Sequence, residues 1–263
     1  MHNRFLGLAL GVVAILSIPP ILIFAQTAEH REPAQGQMSP QTPDLSGIWS
    51  RLRADGATKR GYAPLFLELS TAEPPMTPWA QAKYRANRAA YRENAKTILS
   101  DPIMSCYPPG LPRIYLLGFP VQIVQIPGQV IMLFEYDHFV RRIYTDGRPH
   151  DNDQGLLWMG DSIGKWEGNT LVTDTVNFND KTLIDRVGHP HSDAMHLMER
   201  IRRIDHDTLE IELTLDDPKA FTKPWGTKLV FELKQDWKIM EHVCEDNSNF
   251  LEFNKKATQT PKK

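Results

Sequence analysis

Cysteine is nearly absent from this chain. Two Cys in 263 residues are too few for a disulfide-dense scaffold or a four-cysteine zinc module. An excess of either charge is also missing: 30 Lys and Arg stand against 32 Asp and Glu, which excludes a polybasic nucleic-acid binder and an acidic disordered tail. Beyond the first 25 residues there is no long apolar run, so the chain is not a multi-span membrane protein. No solenoid or propeller period is visible. Nor is there a Walker A loop, a GxGxxG after a strand, a GxSxG elbow or an HExxH helix, which disfavours phosphoryl transfer, nicotinamide chemistry and serine esterase activity. What is abundant is proline. Its 20 residues, about 8% against a usual ~5%, point to long loops on a β-rich body rather than a helical bundle.

The start of the chain reads as an address. Arg4 precedes an apolar run over residues 5–25, broken by Pro19 and Pro20 and ending at the small Ala25, the pattern of a secretory signal peptide. An uncleaved membrane anchor is the rival, and the proline pair argues against it by interrupting the helix that an anchor needs. Residues 26–43, rich in Gln, Pro, Glu and Ser, cannot bury enough apolar area to order themselves and are expected to be a linker. The expected organisation is a signal peptide over 1–25, a linker over 26–43, a single β domain over 44–253 and a tail over 254–263. Export to a periplasmic or extracellular space would let Cys106 and Cys244 form one disulfide; two unpaired buried thiols are the alternative.

From Asp44 onward the hydrophobic pattern is mostly period two, with turn signals at Pro127-Gly128, Asp146-Gly147, Glu167-Gly168-Asn169 and Asp205-His206-Asp207. The clearest alternation sets Leu209, Ile211, Leu213 and Leu215 against Glu210, Glu212, Thr214 and Asp216. One helix is expected over residues 78–95, capped by Thr77 with Pro78 in its first turn. About ten antiparallel strands without a parallel crossover, the last over 238–244, predict a barrel or a barrel-like sandwich. Closure is preferred because it leaves no edge to protect.

The segments DLSGIW, PRIY, EYDHFVRRIYTDGRPH, SIGKWEGNTLVTDTVNFND, GHPHSDAMHLMERIRR, TKPW and EHVCEDN together resemble a widespread group of exported bacterial proteins of unknown function. The resemblance covers most of the chain from Asp44 to about Asn247. It implies compartment and fold but no reaction. The LSGIW opening and the meander are similar in style to lipocalin-like proteins, whose barrels hold small ligands.

Candidate chemistry gathers in three places. Residues 188–200 hold His189, His191, Asp193, His196, Glu199 and Arg200. Period two puts Glu199 on one face with Met195, Leu197 and Ile201, so this carboxylate is either paired, with Arg141 or Arg200, or tuned as an acid or base. His189 and His191 could serve as bases, cap turns, or join His196 and Glu199 around a divalent metal. Asp174 shares a face with Val172, Val176 and Phe178, next to Asn179. Its alternative reading is a hydrogen-bonded corner. The third group is Tyr136, Asp137, His138, Arg141, Asp146, Arg148 and His150, with Arg113, Tyr115 and the Lys223-Pro-Trp225 segment as further walls of a mouth.

Trp49, Trp158, Trp166 and Trp225 could stack an aromatic ligand or simply fill a core. These readings give one expectation: a cofactor-independent acid–base enzyme of lyase, hydratase or isomerase type, acting on a small, partly apolar molecule. His189 or His191 would be the base, Glu199 or Asp174 the acidic partner, and Arg141 the charge stabiliser. A hydrophobic-ligand carrier, a metal enzyme and an envelope interaction module are the alternatives. No nucleic acid is expected as a partner, and membrane contact only through the N-terminal segment.

Overall fold

The computed structural model describes residues 42–52, 69–70, 72–92, 97–98, 101–151 and 153–246. The expected signal peptide and tail, and nearly all of the expected linker, lie outside the described residues. The strands are β1 (Gly47–Arg51), β2 (Tyr91–Arg92), β3 (Thr97–Ile98), β4 (Val121–Ile126), β5 (Gln129–Phe134), β6 (Val140–Tyr144), β7 (Asp161–Glu167), β8 (Thr170–Val176), β9 (His196–Arg203), β10 (Thr208–Asp216) and β11 (Trp225–Leu233). Nine of them close a barrel in the order β1-β11-β10-β9-β8-β7-β6-β5-β4, with β4 returning to β1. This is the mainly β, lipocalin-like architecture that the alternation implies.

The hairpins follow their turn residues. Between β4 and β5, Pro127 presets its own φ and Gly128 takes φ +76°, a conformation that an L side chain resists. In β10 the expected alternation holds: Leu209, Ile211, Leu213 and Leu215 are fully buried, at 0–1% exposure. The inward rows of the other strands add Trp49, Ile123, Met132, Phe134, Ile143, Leu171, Leu197 and Phe231 to one apolar core.

Three expectations need correction. First, the barrel is not wholly antiparallel: β6 and β7 run parallel, pairing Ile143 with Ser162 and Tyr144 with Ile163. A parallel pair cannot be joined by a tight turn, so residues 145–160 make a long crossover. Second, residues 238–244 are not a strand. Both edges of β11 are already taken, by β10 and by β1. The segment instead crosses near the β5–β6 corner, where Met240 N donates to Glu135 Oε2 (3.0 Å) and Cys244 N to Asp137 Oδ1 (3.1 Å). Cys106 and Cys244 are disulfide-bonded, 138 residues apart in sequence.

Third, the helix α1 (Pro78–Ala89) stops short of residue 95, because Tyr91 and Arg92 pair with Ile98 and Thr97, which leaves Ile98 fully buried. Its start is as expected: Thr77 Oγ1 accepts from Ala80 N (3.3 Å), with Pro78 in the first turn. No helix among the described residues is long and apolar enough to cross a membrane.

Candidate functional site

Three adjacent strands, β7, β8 and β9, carry one polar network on their inner face and another on their outer face. The inner network begins with Glu199 and Arg141, both essentially without exposure. Arg141 meets Glu199 through both arms of its fork: Nη1 donates to Oε1 (3.0 Å) and Nη2 to Oε2. Tyr115 Oη donates to Glu199 Oε1 (2.9 Å) and Thr173 Oγ1 to Oε2 (2.9 Å). The guanidinium also reaches Ser162 Oγ (3.1 Å), Thr175 Oγ1 (2.9 Å) and Tyr115 Oη (2.7 Å).

Burial works to lower the Arg141 pKa, but Glu199 and Tyr115 outweigh it and hold the value above that of a free guanidinium. Burial pushes the Tyr115 hydroxyl well above its ordinary value; Arg141 opposes this and Glu199 adds to it. Both oxygens of Glu199 are bonded twice, so the group is a closed, fully satisfied core network of the kind that fixes register. Pairing with Arg141, one of the two sequence readings of Glu199, is the arrangement found.

The outer network lies directly behind it. Asp161 Oδ2 accepts from His150 Nδ1 (2.8 Å) and from Asp151 N (3.0 Å). A carboxylate accepts only, so His150 carries its proton on Nδ1, and its Nε2 faces Asp174 Oδ2 at 3.6 Å. Nε2 is buried and has no hydrogen-bond partner. On the other side, His196 Nε2 bonds Asp174 Oδ1. The result is a chain Asp161–His150–Asp174–His196 whose inner end is shielded. Its outer end is open, the Asp174 and His196 side chains being 41% and 36% exposed.

Asp174 therefore sits on the face opposite to the one expected. Thr173 and Thr175 point inward, fully buried, because the Arg141–Glu199 pair needs hydroxyl partners; Asp174 points out with Val172 and Val176. The apolar pattern of β8 misleads because the core at this level is polar.

His189 and His191 do not reach either network. His189 Nδ1 bonds Asp185 Oδ2 (2.6 Å), and its ring stacks on Tyr84 at 4.5 Å. Asp185 Oδ1 also accepts from the Gly188 and His189 amides. His191 Nδ1 donates to Ser192 O (3.1 Å), which leaves Nε2 to accept from Thr182 Oγ1 (2.6 Å). Burial lowers the His191 pKa, with partial compensation from the Ser192 carbonyl and from Asp217. Ser192 Oγ donates to Asp217 Oδ1 (2.8 Å). Both imidazoles thus stabilise a buried loop.

The expected convergence of these histidines with Glu199 does not occur. His196 and Glu199, three residues apart on β9, lie on opposite faces of the strand, so the metal quartet His189, His191, His196 and Glu199 cannot form. Among the described residues, no group of three or more His, Cys, Asp or Glu side chains is set to hold a metal ion.

The remaining candidates are scattered. Arg113 forms a buried ion pair with Asp101. Tyr136 packs under the C-terminal segment with its Oη 3.8 Å from Cys244 Sγ, and burial, then Asp137, raises its pKa. His138 is exposed on a left-handed backbone, at φ 56°. Asn179 makes a corner, its Oδ1 accepting from Lys181 N (3.1 Å). Trp225 packs edge-on against Phe221.

The sequence reading placed His150 in the third candidate group, grouped it with Arg141 rather than with Asp174, and gave Asp161 no role. The signal that was missed is that a crossover returns residue 150 to the strand that starts at residue 161. No family model and no curated protein matches this chain.

Proposed function

We propose that the protein is an exported acid–base catalyst whose proton-transfer centre is the Asp161–His150–Asp174–His196 chain on the outer barrel wall. The expectation of cofactor-independent lyase, hydratase or isomerase chemistry is kept, but its residues change. The observation that carries the reading is a solvent-reachable carboxylate held between two imidazoles, one of them with a fixed tautomer and a shielded Nε2 that faces the carboxylate without a hydrogen bond. Asp174 takes a proton from the substrate and hands it to His150 Nε2. The imidazolium so formed is stabilised by Asp161, as a buried carboxylate stabilises a catalytic histidine elsewhere. His196, at the open end, gives a proton to the product and recovers one from His150 through Asp174, which returns the chain to its starting state.

The inner network supplies rigidity: Ser162, Thr173, Thr175 and Glu199 lock the three strands from behind, so the outer groups keep their spacing. Export is supported by the signal-like N-terminal sequence and by the disulfide. It also agrees with the family that the sequence resembles. A ligand carried inside the barrel is less favoured, because Tyr115, Arg141, Glu199 and Phe231 occupy that interior.

The test uses 5-nitrobenzisoxazole, whose ring opening reports proton abstraction by a protein base. Wild-type protein is expected to exceed the buffer rate, and Asp174→Asn and His196→Ala to lower that excess about 100-fold, the lower range for a positioned base. Equal rates in wild type and Asp174→Asn overturn the assignment. So does a requirement for added zinc or manganese.

A further inference from the structure

We propose that Tyr107, Trp158 and Lys181 form a ring-binding subsite of this centre, selecting a planar aromatic ligand that bears a negative charge. The proposal rests on the proton-transfer reading and names its substrate class. The Tyr107 and Trp158 rings stack at 5.4 Å and 13°, and Lys181 Nζ lies 5.7 Å from the Trp158 centroid. Tyr107 is 54% exposed, so this aromatic pair reaches solvent instead of filling the core. Lys181 makes no ion pair among the described residues and is the cation available to a ligand's anionic group. An exposed aromatic pair with a cation over one of its rings suits a flat anion better than a neutral aliphatic ligand.

Each part is held in place. Tyr107 follows the disulfide-bonded Cys106, and its N donates to Pro102 O (3.2 Å). Trp158 is fixed through Leu157, which pairs with Phe178, donates to Asn177 O (2.7 Å) and accepts from Asn179 N (2.8 Å). Asn179 in turn accepts from Lys181 N.

The subsite and the proton chain share one crossover. Residues 145–160 carry both His150 and Trp158, and Asp151 ties the two regions together: its N donates to Asp161, and its carbonyl accepts from Asn177 Nδ2 (3.2 Å). Phe178, the bridge partner of Leu157, is four residues beyond Asp174, at most about 14 Å along the chain.

Binding of 2-naphthoate to the disulfide-intact protein, followed by calorimetry, tests this. Saturable binding is expected, weakened at least tenfold by Tyr107→Ala. Lys181→Met should weaken 2-naphthoate but leave 2-naphthylmethanol unchanged. The thermal midpoint of each variant checks folding. His196→Ala should still bind 2-naphthoate while losing benzisoxazole turnover, so failure of the subsite and failure of the proton-transfer reading give different results. Absence of saturable binding, wild-type affinity in both variants, or a preference for maltotriose overturns the proposal.

Discussion

A single histidine illustrates how burial decides between chemistry and architecture. His191 has the residue type of a base, but both its nitrogens are bonded and desolvation favours its neutral form. Its folded pKa lies below the unfolded value of ~6.5, so in the interval between them the unfolded chain holds the extra proton. Stability present above ~6.5 is therefore lost as pH falls through that window, by at most about 1.4 kcal/mol per pH unit. Urea denaturation at pH 7 and pH 5 should show a larger loss for wild type than for His191→Gln, whose amide keeps an acceptor for Thr182. Parallel pH dependences would show that His191 does not carry the effect. By contrast, the sequence around His150 does not name its partners. Its role follows from the Asp161 carboxylate that reaches it across the crossover.

At the level of the strand, β8 shows where alternation succeeds and where it inverts. Period two correctly separates Thr173 and Thr175 from Val172, Asp174 and Val176, but apolarity assigns the wrong set to the interior. The interior set is chosen by the Arg141–Glu199 pair, whose members come from β6 and β9, and no local window contains both. Breaking that pair should be far worse than removing it. Glu199→Leu alone strands a buried guanidinium and is expected to cost about 3–5 kcal/mol. Adding Arg141→Met should recover most of the loss, read as urea midpoints of the single and double variants. A double variant no more stable than the single one would mean that the hydroxyls of Ser162, Thr173 and Thr175 need the charges as much as the charges need them. In β10 and at the start of α1 the sequence reading holds, because the inward row of β10 is wholly apolar and the cap is local.

Across the whole molecule, the disulfide is the longest-range covalent constraint. It joins the Pro-rich segment before β4 to the chain after β11, and it closes 138 residues. The chain-entropy model gives such a loop about 5 kcal/mol, and removal of native disulfides typically costs about 2–5 kcal/mol. The Cys106→Ser, Cys244→Ser double variant should lose stability within that range by denaturant titration. It should also weaken 2-naphthoate binding, since Tyr107 adjoins the bridge; unchanged affinity would show that the Pro102 hydrogen bond alone places the ring.

The sequence by itself determined the mainly β body, the tight hairpin turns, the helix cap and the inward row of β10. Each depends on residues near one another in the chain, where φ preferences and period-two burial act. The tertiary structure alone decided the parallel β6–β7 pairing, which face of β8 is buried, the irregular path of residues 238–244 and the grouping of Asp161, His150, Asp174 and His196. These depend on which distant strand lies alongside, and a carboxylate or imidazole shows no preference for its partner until the barrel closes and fixes the distance between them.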